Sequence, residues 1–516
     1  MKLNWKNSLI ILLLILVLGG FLRMHKLENQ SFTADEYLGI NAVYGKVQTG
    51  EWKFWDWNNW QPRDEKYTRG LVYYGQSAFL LNYLDPTEVN FRILSVIWGM
   101  MAIVLMFFAT YYFTKNFIIS LLSAFLWSIS ISAITFDRHF RMYAMFAPVY
   151  LALSLFVYRF LESRPGLKLN KINFLNKLSK RTELNWYCFF LAVFLLWLSF
   201  STHLLTVNLF PVITLYLIIL AYAQYRKNKN WKNKYAYLLA IPVVSLAGLL
   251  ATGIYKRAAS FFDFPVNHFK HLENITLDYS HTILAMTLLV LGAIYLISRN
   301  FKKGLWLTLS FAVPFLLAIF VWDRNPGDQY IYFIQTFEVI LIASGIYFAS
   351  SWLAEKFRGK HWYDFLFKKN KHGLVFWAIV LYLIFAVYNF GYWDQDNSFY
   401  KKIAYWDNSN YREVFAYYKK HRSPDALLVT RDFRNYYYAK LETPVFDFGG
   451  ENQEEDKLTL EKIKNLEQKN KEVWIVISTN DHAYIKSPAR HYIRDNYEPL
   501  ESRYANDSME IWRWKK

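Results

Sequence analysis

Apolar residues in this chain are gathered into long blocks, and charge collects between the blocks instead of alternating through them. A helix needs about 20 mostly apolar residues to cross the hydrocarbon layer, because in lipid every backbone polar group must be satisfied within the segment. On that rule the pattern predicts spans near 9–22, 91–113, 117–136, 143–160, 186–201, 204–225, 235–254, 282–298, 305–321, 331–353 and 374–392. The expected fold class is a polytopic α-helical membrane protein with about eleven transmembrane helices. From Trp393 onward charge is dense and apolar runs are short, with strands expected at 427–430, 473–478 and 509–514. Helical patterns at 411–421, 457–469 and 489–496 separate them, which predicts a small α/β unit. The expected division is a transmembrane domain over 1–392 and a soluble extracytoplasmic α/β domain over 393–516.

The loop over 23–90 is too long for an idle connection and carries Trp52, Trp55, Trp57 and Trp60. Indoles favour the headgroup layer, so interfacial helices are expected at 34–49 and 75–83 with a Trp-rich loop between them. A second loop, 255–281, is expected to act as a mobile cover. There is no internal repeat and no low-complexity tract.

Composition agrees with the pattern: 54% of the 516 residues are hydrophobic and 20% aromatic, above the usual apolar share. The formal charge of +18 is explained by Lys and Arg in alternate loops, which argues against a nucleic-acid partner. Lys2 and Lys6, Lys115, Arg226 to Lys234, Arg299 to Lys303 and Lys356 to Lys371 all fall on one side of the predicted spans. By the positive-inside tendency that side is cytoplasmic, which places the amino terminus inside and the tail outside a cytoplasmic (inner) membrane. The first span lacks an A-x-A-like cleavage site and reads as a retained anchor. Cys188 is the single cysteine, so neither a disulfide framework nor a thiolate metal site can be built.

Candidate chemistry lies at the opposite, outer ends of the spans. Asp35 and Glu36 follow the first span, where lipid and aromatic walls would shield a carboxylate and raise its basicity. The plainer reading is a helix start, with Thr33 or Asp35 as cap and Glu36 facing the dipole. In the run Asp137, Arg138, His139, Phe140, Arg141, Met142, Tyr143, two arginines at a bilayer boundary point to an anion such as phosphate. Snorkelling of Arg138 and Arg141 with Asp137 as counterion weighs equally. His203 opens the sixth span, and Asp323 to Tyr330, which includes Asp328 and Tyr330, opens the tenth. Arg63, Lys66 and Arg69 are further candidates for an anion, with solvated surface charge as the simpler account of each.

These pieces in this order resemble the GT-C superfamily of membrane glycosyltransferases, in the branch of protein O-mannosyltransferases and aminoarabinose transferases. Asp35 and Glu36 match the acidic pair of the first outer loop, and Arg92 with Ser95 matches an R-x-x-S start to the second span. Arg138, Arg141, Met142 and Tyr143 match an S-R-E-A-R-M-Y motif, Thr202 and His203 a T-H-Y-type turn, and Gln329 with Tyr330 an R-Y pair. Asp407, Tyr411, Ser423, Pro424, Asp425 and Leu428 resemble the start of the family's outer domain. His139 replaces a usual glutamate and Gln329 a common arginine, with Asp137 a candidate for the missing carboxylate.

The resemblance implies transfer of a sugar from a polyprenyl-phosphate donor to an acceptor hydroxyl on a glycan, lipid or protein, outside the membrane and with inversion. Asp35 is then expected as base, with Glu36 orienting the acceptor or supporting the loop, and Arg138 and Arg141 on the leaving phosphate. His139, Tyr143 and His203 would line the pocket. No nucleotide sugar is needed, and a divalent metal is an open option as cofactor: Asp35, Asp137, His139 and His203 are acceptable ligands, without diagnostic spacing. The rival classes are a transporter or flippase of lipid-linked sugars, which would carry mid-span charge, and an inactive relative acting in assembly.

Overall fold

The computed structural model describes residues 4–28, 31–163, 173–251, 266–276, 278–279, 282–322, 327–357, 411–431, 436–439, 444–449, 456–500 and 509–516. The chain forms two compact units: Met1–His25, Ser95–Arg138 and Met142–Phe399 in the first, and Lys26–Leu94, His139–Arg141 and Tyr400–Lys516 in the second. The division expected at 392/393 lies outside the described residues.

The first unit is helical. Its elements are α1 (Trp5–Met24), the greater part of α4 (Glu88–Thr114), α5 (Phe117–Ile129), α6 (Ile131–Arg138), α7 (Tyr143–Glu162), α8 (Asn173–Thr182), α9 (Trp186–Thr202) and α10 (Leu209–Asn228). There follow α11 (Lys234–Leu238), α12 (Ala240–Ala251), α13 (Lys270–Thr276), α14 (Thr282–Arg299), α15 (Phe301–Phe320) and α16 (Gln335–Phe357). Among the described residues seven helices are long and apolar enough to cross a membrane, or up to nine if each of two bent pairs is one span. Leu13, Leu14 and Val17 of α1 are each at least 60% exposed, an arrangement suited to acyl chains and costly in water. The chain is thus a multi-pass membrane protein.

Most predicted spans match a helix within a few residues, two differ, and one lies outside the described residues. The third is broken at Ser130, where α5 and α6 meet at 57°. The carboxylate of Asp278 accepts from Ser130 Oγ at 2.6 Å and from the Ser132 amide at 2.9 Å, satisfying backbone and hydroxyl donors at the break. The seventh expected span is represented by the short helices α11 and α12, with 252–254 outside the described residues. The eleventh, 374–392, and most of the loop over 255–281 also lie outside them.

Helices α14 and α16 approach closely because glycines face each other's backbone. A Cβ on Gly345 would sit 1.9 Å from Leu288 O, and one on Gly292 1.9 Å from Leu341 O. Small residues allow such contact where lipid supplies no hydrophobic drive between helices. Gly345→Val is expected to cost about 3 kcal/mol, since backbone on both sides must separate. A thermal-melting series of the detergent-solubilised protein reads this, and an unchanged midpoint would show that the two helices do not need that approach.

The second unit contains α2 (Ala34–Thr49), the antiparallel hairpin β1 (Lys53–Asp56) and β2 (Gln61–Lys66), and α3 (Leu71–Leu81). Here the expectation of a Trp-rich surface loop is corrected in part: Trp60 stays exposed, but two of the four indoles turn inward. Trp57 is fully buried and donates to Asn41 Oδ1 at 2.7 Å, and Trp55 is buried too, so these indoles form a core between hairpin and helix. The second helix starts at Leu71, four positions before the expected 75, after Gly70 in the left-handed region. The carboxyl-terminal part of this unit carries α17 (Tyr411–His421), β3 (Leu427–Arg431), α18 (Tyr436–Ala439), β4 (Val445–Phe448), α19 (Leu460–Lys469), β5 (Glu472–Ser478), α20 (Ser487–Asn496), β6 (Glu498–Pro499) and β7 (Met509–Lys515). The sheet order is β4-β3-β5-β7-β6, parallel across β4, β3 and β5 and antiparallel at β7. Its core includes Val429, Ile475, Ile477, Ile463 and Ile493, the apolar faces that the α/β pattern predicts.

The same unit ties its early and late segments together. Tyr438 Oη donates to Glu88 Oε1 at 2.9 Å and receives the Phe32 amide at 2.8 Å, while Arg412 pairs with Glu88 at 2.8 Å. The rings of Tyr37 and Tyr411 meet edge to face, with centroids 5.6 Å apart.

Candidate active site

Helix α2 opens with a capping box: the Thr33 side chain receives the Glu36 amide, and the Glu36 carboxylate reaches back to the Thr33 amide at 2.9 Å. Glu36 is fully buried and has three further donors, Arg92 Nε at 2.9 Å, Arg92 Nη2 at 2.8 Å and the Phe140 amide at 2.7 Å. Arg92 in turn donates to the carbonyls of Leu27 and Ser31, and its guanidinium lies 5.0 Å from the Phe32 ring. Burial alone would raise the Glu36 carboxyl, but the charge and hydrogen bonds of Arg92, the charge of His139 and the Phe140 amide outweigh it and hold it at about 2. With four donors on two oxygens, Glu36 braces the loop and has little capacity left for an acceptor.

Asp35, one residue earlier, points differently. Its side chain is 57% exposed, and its carboxylate meets Arg141 Nη2 at 3.3 Å while Arg141 Nη1 donates to the Asp35 carbonyl at 2.8 Å. The shielding expected around Asp35 is therefore not found: the second helical position carries it outward, whereas the third turns Glu36 inward. Arg141 is held in place by its neighbour Phe140, whose ring packs on Tyr74 at 5.3 Å, Phe91 at 5.2 Å and Tyr73 at 5.7 Å. That aromatic wall also aims the Phe140 amide at Glu36. His139 is buried beside it.

In the first unit, Asp137 is fully buried against Arg23 at 2.8 Å, and Tyr332 Oη donates to its other oxygen at 3.1 Å. Arg138 Nη1 donates to the carbonyls of Leu22, Arg23 and His25, closing the end of α1. His203 accepts the Leu205 amide on Nδ1 at 3.1 Å, and its ring packs 5.3 Å from both Tyr143 and Phe146 and 6.4 Å from Tyr330. Asp328 lies in a short 3-10 turn, Asp328–Tyr330, and its side chain, like residues 323–326, is outside the description. Arg23 was not singled out by the sequence, although a lone arginine at the carboxyl-terminal end of the first span carries the same signal as Arg138.

Arg63 lies on β2 and bridges Asp56 and Asp447 at 3.3 Å each, so acidic neighbours already hold it. Lys66 and Arg69 are exposed. For a divalent metal the fit is poor: Asp35 and Asp137 are each paired with an arginine, and His203 Nδ1 already accepts a backbone proton. Among the described residues no group of three or more His, Cys, Asp or Glu side chains is gathered to hold an ion.

No protein-family model and no curated protein sequence matches the chain. Solved structures do. ArnT from Cupriavidus metallidurans bound to undecaprenyl phosphate matches at 9% identity and TM-score 0.56, covering 99% of this chain and 98% of its own. The oligosaccharyltransferase AglB from Archaeoglobus fulgidus, with an inhibitory peptide and a dolichol-phosphate, matches at 10% identity and TM-score 0.58, covering 99% and 75%. The Archaeoglobus enzyme with Zn and sulfate matches at 11% identity and TM-score 0.55, covering 97% and 72%. At such identities the likeness is one of fold: this chain shares the overall architecture of ArnT and AglB.

Proposed function

We propose that the protein transfers a sugar from a polyprenyl-phosphate carrier to an acceptor hydroxyl at the outer face of a cytoplasmic membrane, with inversion. The observation that carries this reading is the Asp35–Arg141 pair, an accessible carboxylate against a guanidinium, presented by two segments whose backbones Glu36 locks together. Asp35 takes the proton of the acceptor O–H as its oxygen bonds to the anomeric carbon. The bond from that carbon to the phosphate oxygen breaks, and the phosphate leaves with the electron pair. Arg141 orients the Asp35 carboxylate and balances the charge that grows on the leaving phosphate. The lipids that accompany ArnT and AglB in their structures are of this carrier class, which supports the choice of donor.

Purified full-length protein in vesicles, given a panel of labelled polyprenyl-phosphate sugars, is expected to release polyprenyl phosphate and to pass label to a hydroxyl acceptor. Movement of intact lipid-linked sugar between leaflets with no cleavage of the sugar–phosphate bond would instead establish the flippase reading.

A further inference from the structure

Five of the polar residues in the first unit that the proposed reaction leaves unused converge at one end of it. Helix α1 spans 20 residues, about 30 Å. Its Arg23 end holds Asp137, and its Trp5 end packs on Tyr111 and Phe117, with centroids 4.7 and 4.9 Å away. At that second end the α4–α5 and α14–α15 turns enclose a cavity of about 400 Å³, lined by Lys115, Asn116, Arg299, Asn300, Lys303 and Tyr347 among others. Among the described residues no carboxylate lines it.

Three cations without an acid are costly to gather, and here neutral groups hold them. Lys303 Nζ donates to Tyr112 O at 2.7 Å and lies 4.9 Å from the Tyr112 ring. Lys115 Nζ lies 5.3 and 5.4 Å from the rings of Tyr111 and Tyr112, and Arg299 5.6 Å from that of Tyr295. Two long helices also begin at this cavity. Asn116 caps α5 and Asn300 caps α15, while α4 and α14 end at the same turns, so opposed dipole ends offset one another and the field comes from the three cationic side chains. The cavity therefore has the charge of an anion site. Its volume is within the range of small-molecule pockets and exceeds what a bare phosphate needs. It lies at the turns where the apolar helices α4, α5, α14 and α15 end or begin.

We propose that this cavity binds a phosphate-bearing anionic headgroup, as a second site separate from the Asp35 centre. The guanidinium of Arg299 and the ammonium groups of Lys115 and Lys303 take the phosphate oxygens, and the remaining volume takes the group esterified to it. The site owes nothing to the sugar-transfer reading and stands or falls without it.

The test uses delipidated full-length protein in neutral detergent, titrated with phosphatidylglycerol, with phosphatidylcholine or with inorganic phosphate. Binding is read by native mass spectrometry and by the shift in melting temperature. Wild type is expected to retain phosphatidylglycerol over phosphatidylcholine. The triple variant Lys115→Gln, Arg299→Gln, Lys303→Gln should weaken that binding about tenfold or more, on the usual worth of a charged hydrogen bond. The control Arg226→Gln, Lys227→Gln, Lys229→Gln removes the same charge from the end of α10 and should leave it unchanged. Lys115 is exposed in a turn, so Lys115→Glu alone keeps the fold and should also weaken binding. Stabilisation by inorganic phosphate that the triple variant abolishes, with no preference for phosphatidylglycerol, would assign the site to free phosphate. Equal loss in the pocket and control variants, or no preference for either phosphate ligand over phosphatidylcholine, overturns the proposal.

Discussion

Replacing Asp35 by Asn is expected to slow turnover of a polyprenyl-phosphate sugar by roughly 10²–10⁴-fold, the usual worth of a positioned general base, while the lipid stays bound and the protein stays folded. The fold is expected to tolerate the change because Asp35 is more than half exposed and its ion pair with Arg141 is a surface pair, worth about 1 kcal/mol or less. Glu36 is not expected to rescue the reaction from one residue away, because Arg92, Thr33 and Phe140 occupy both of its oxygens. The measurement is single-turnover release of labelled carrier phosphate, alongside lipid retention and the melting midpoint. Equal rates in wild type and variant would remove Asp35 from the chemistry, and lost lipid binding would move it from the proton transfer to the recognition of the donor.

The parts of the fold that the sequence made legible are those written in local pattern. Thr33 and Glu36 spell a capping box, and α2 begins and ends at the residues that box and Gly50 predict. Strands β5 and β7 alternate or saturate with apolar residues and lie within a residue of their expected bounds. Strand β4 escaped because it is a short edge element in which only Phe448 is buried. The kink between α5 and α6 escaped for a different reason: the group that supports it, Asp278, lies 148 residues further along the chain. The tryptophans of the first loop show how composition misleads. An indole suits a headgroup layer and a hairpin core equally, and only the Asn41 partner of Trp57 decides between them. In the candidate site the sequence offered residue types and their order, but not where each side chain points. That Glu36 turns inward and Asp35 outward follows from Arg92, 56 residues later, and from the wall that seats Phe140.

That inward turn makes Arg92 the residue whose loss the second unit should tolerate least. In Arg92→Ala the fully buried Glu36 keeps two amide donors and loses its cation, and breaking a buried pair from one side typically costs about 3–5 kcal/mol. The cost should fall in the double variant Arg92→Met, Glu36→Gln, because no uncompensated charge remains; a double variant as unstable as the single one would show that Arg92 acts through the Leu27 and Ser31 carbonyls instead. Acid should mimic the single loss. Folding lowers the Glu36 carboxyl from 4.5 to about 2, so the folded state favours its ionised form. The resulting stability, about 3 kcal/mol, is complete above the unfolded value near pH 4.5 and is lost as pH falls from there toward 2. Melting midpoints of wild type should therefore drop steeply below pH 4.5, and those of Glu36→Gln, lower at neutral pH, should fall less over the same interval. Parallel curves for the two proteins would mean that the Glu36–Arg92 pair does not hold the loop that presents Asp35.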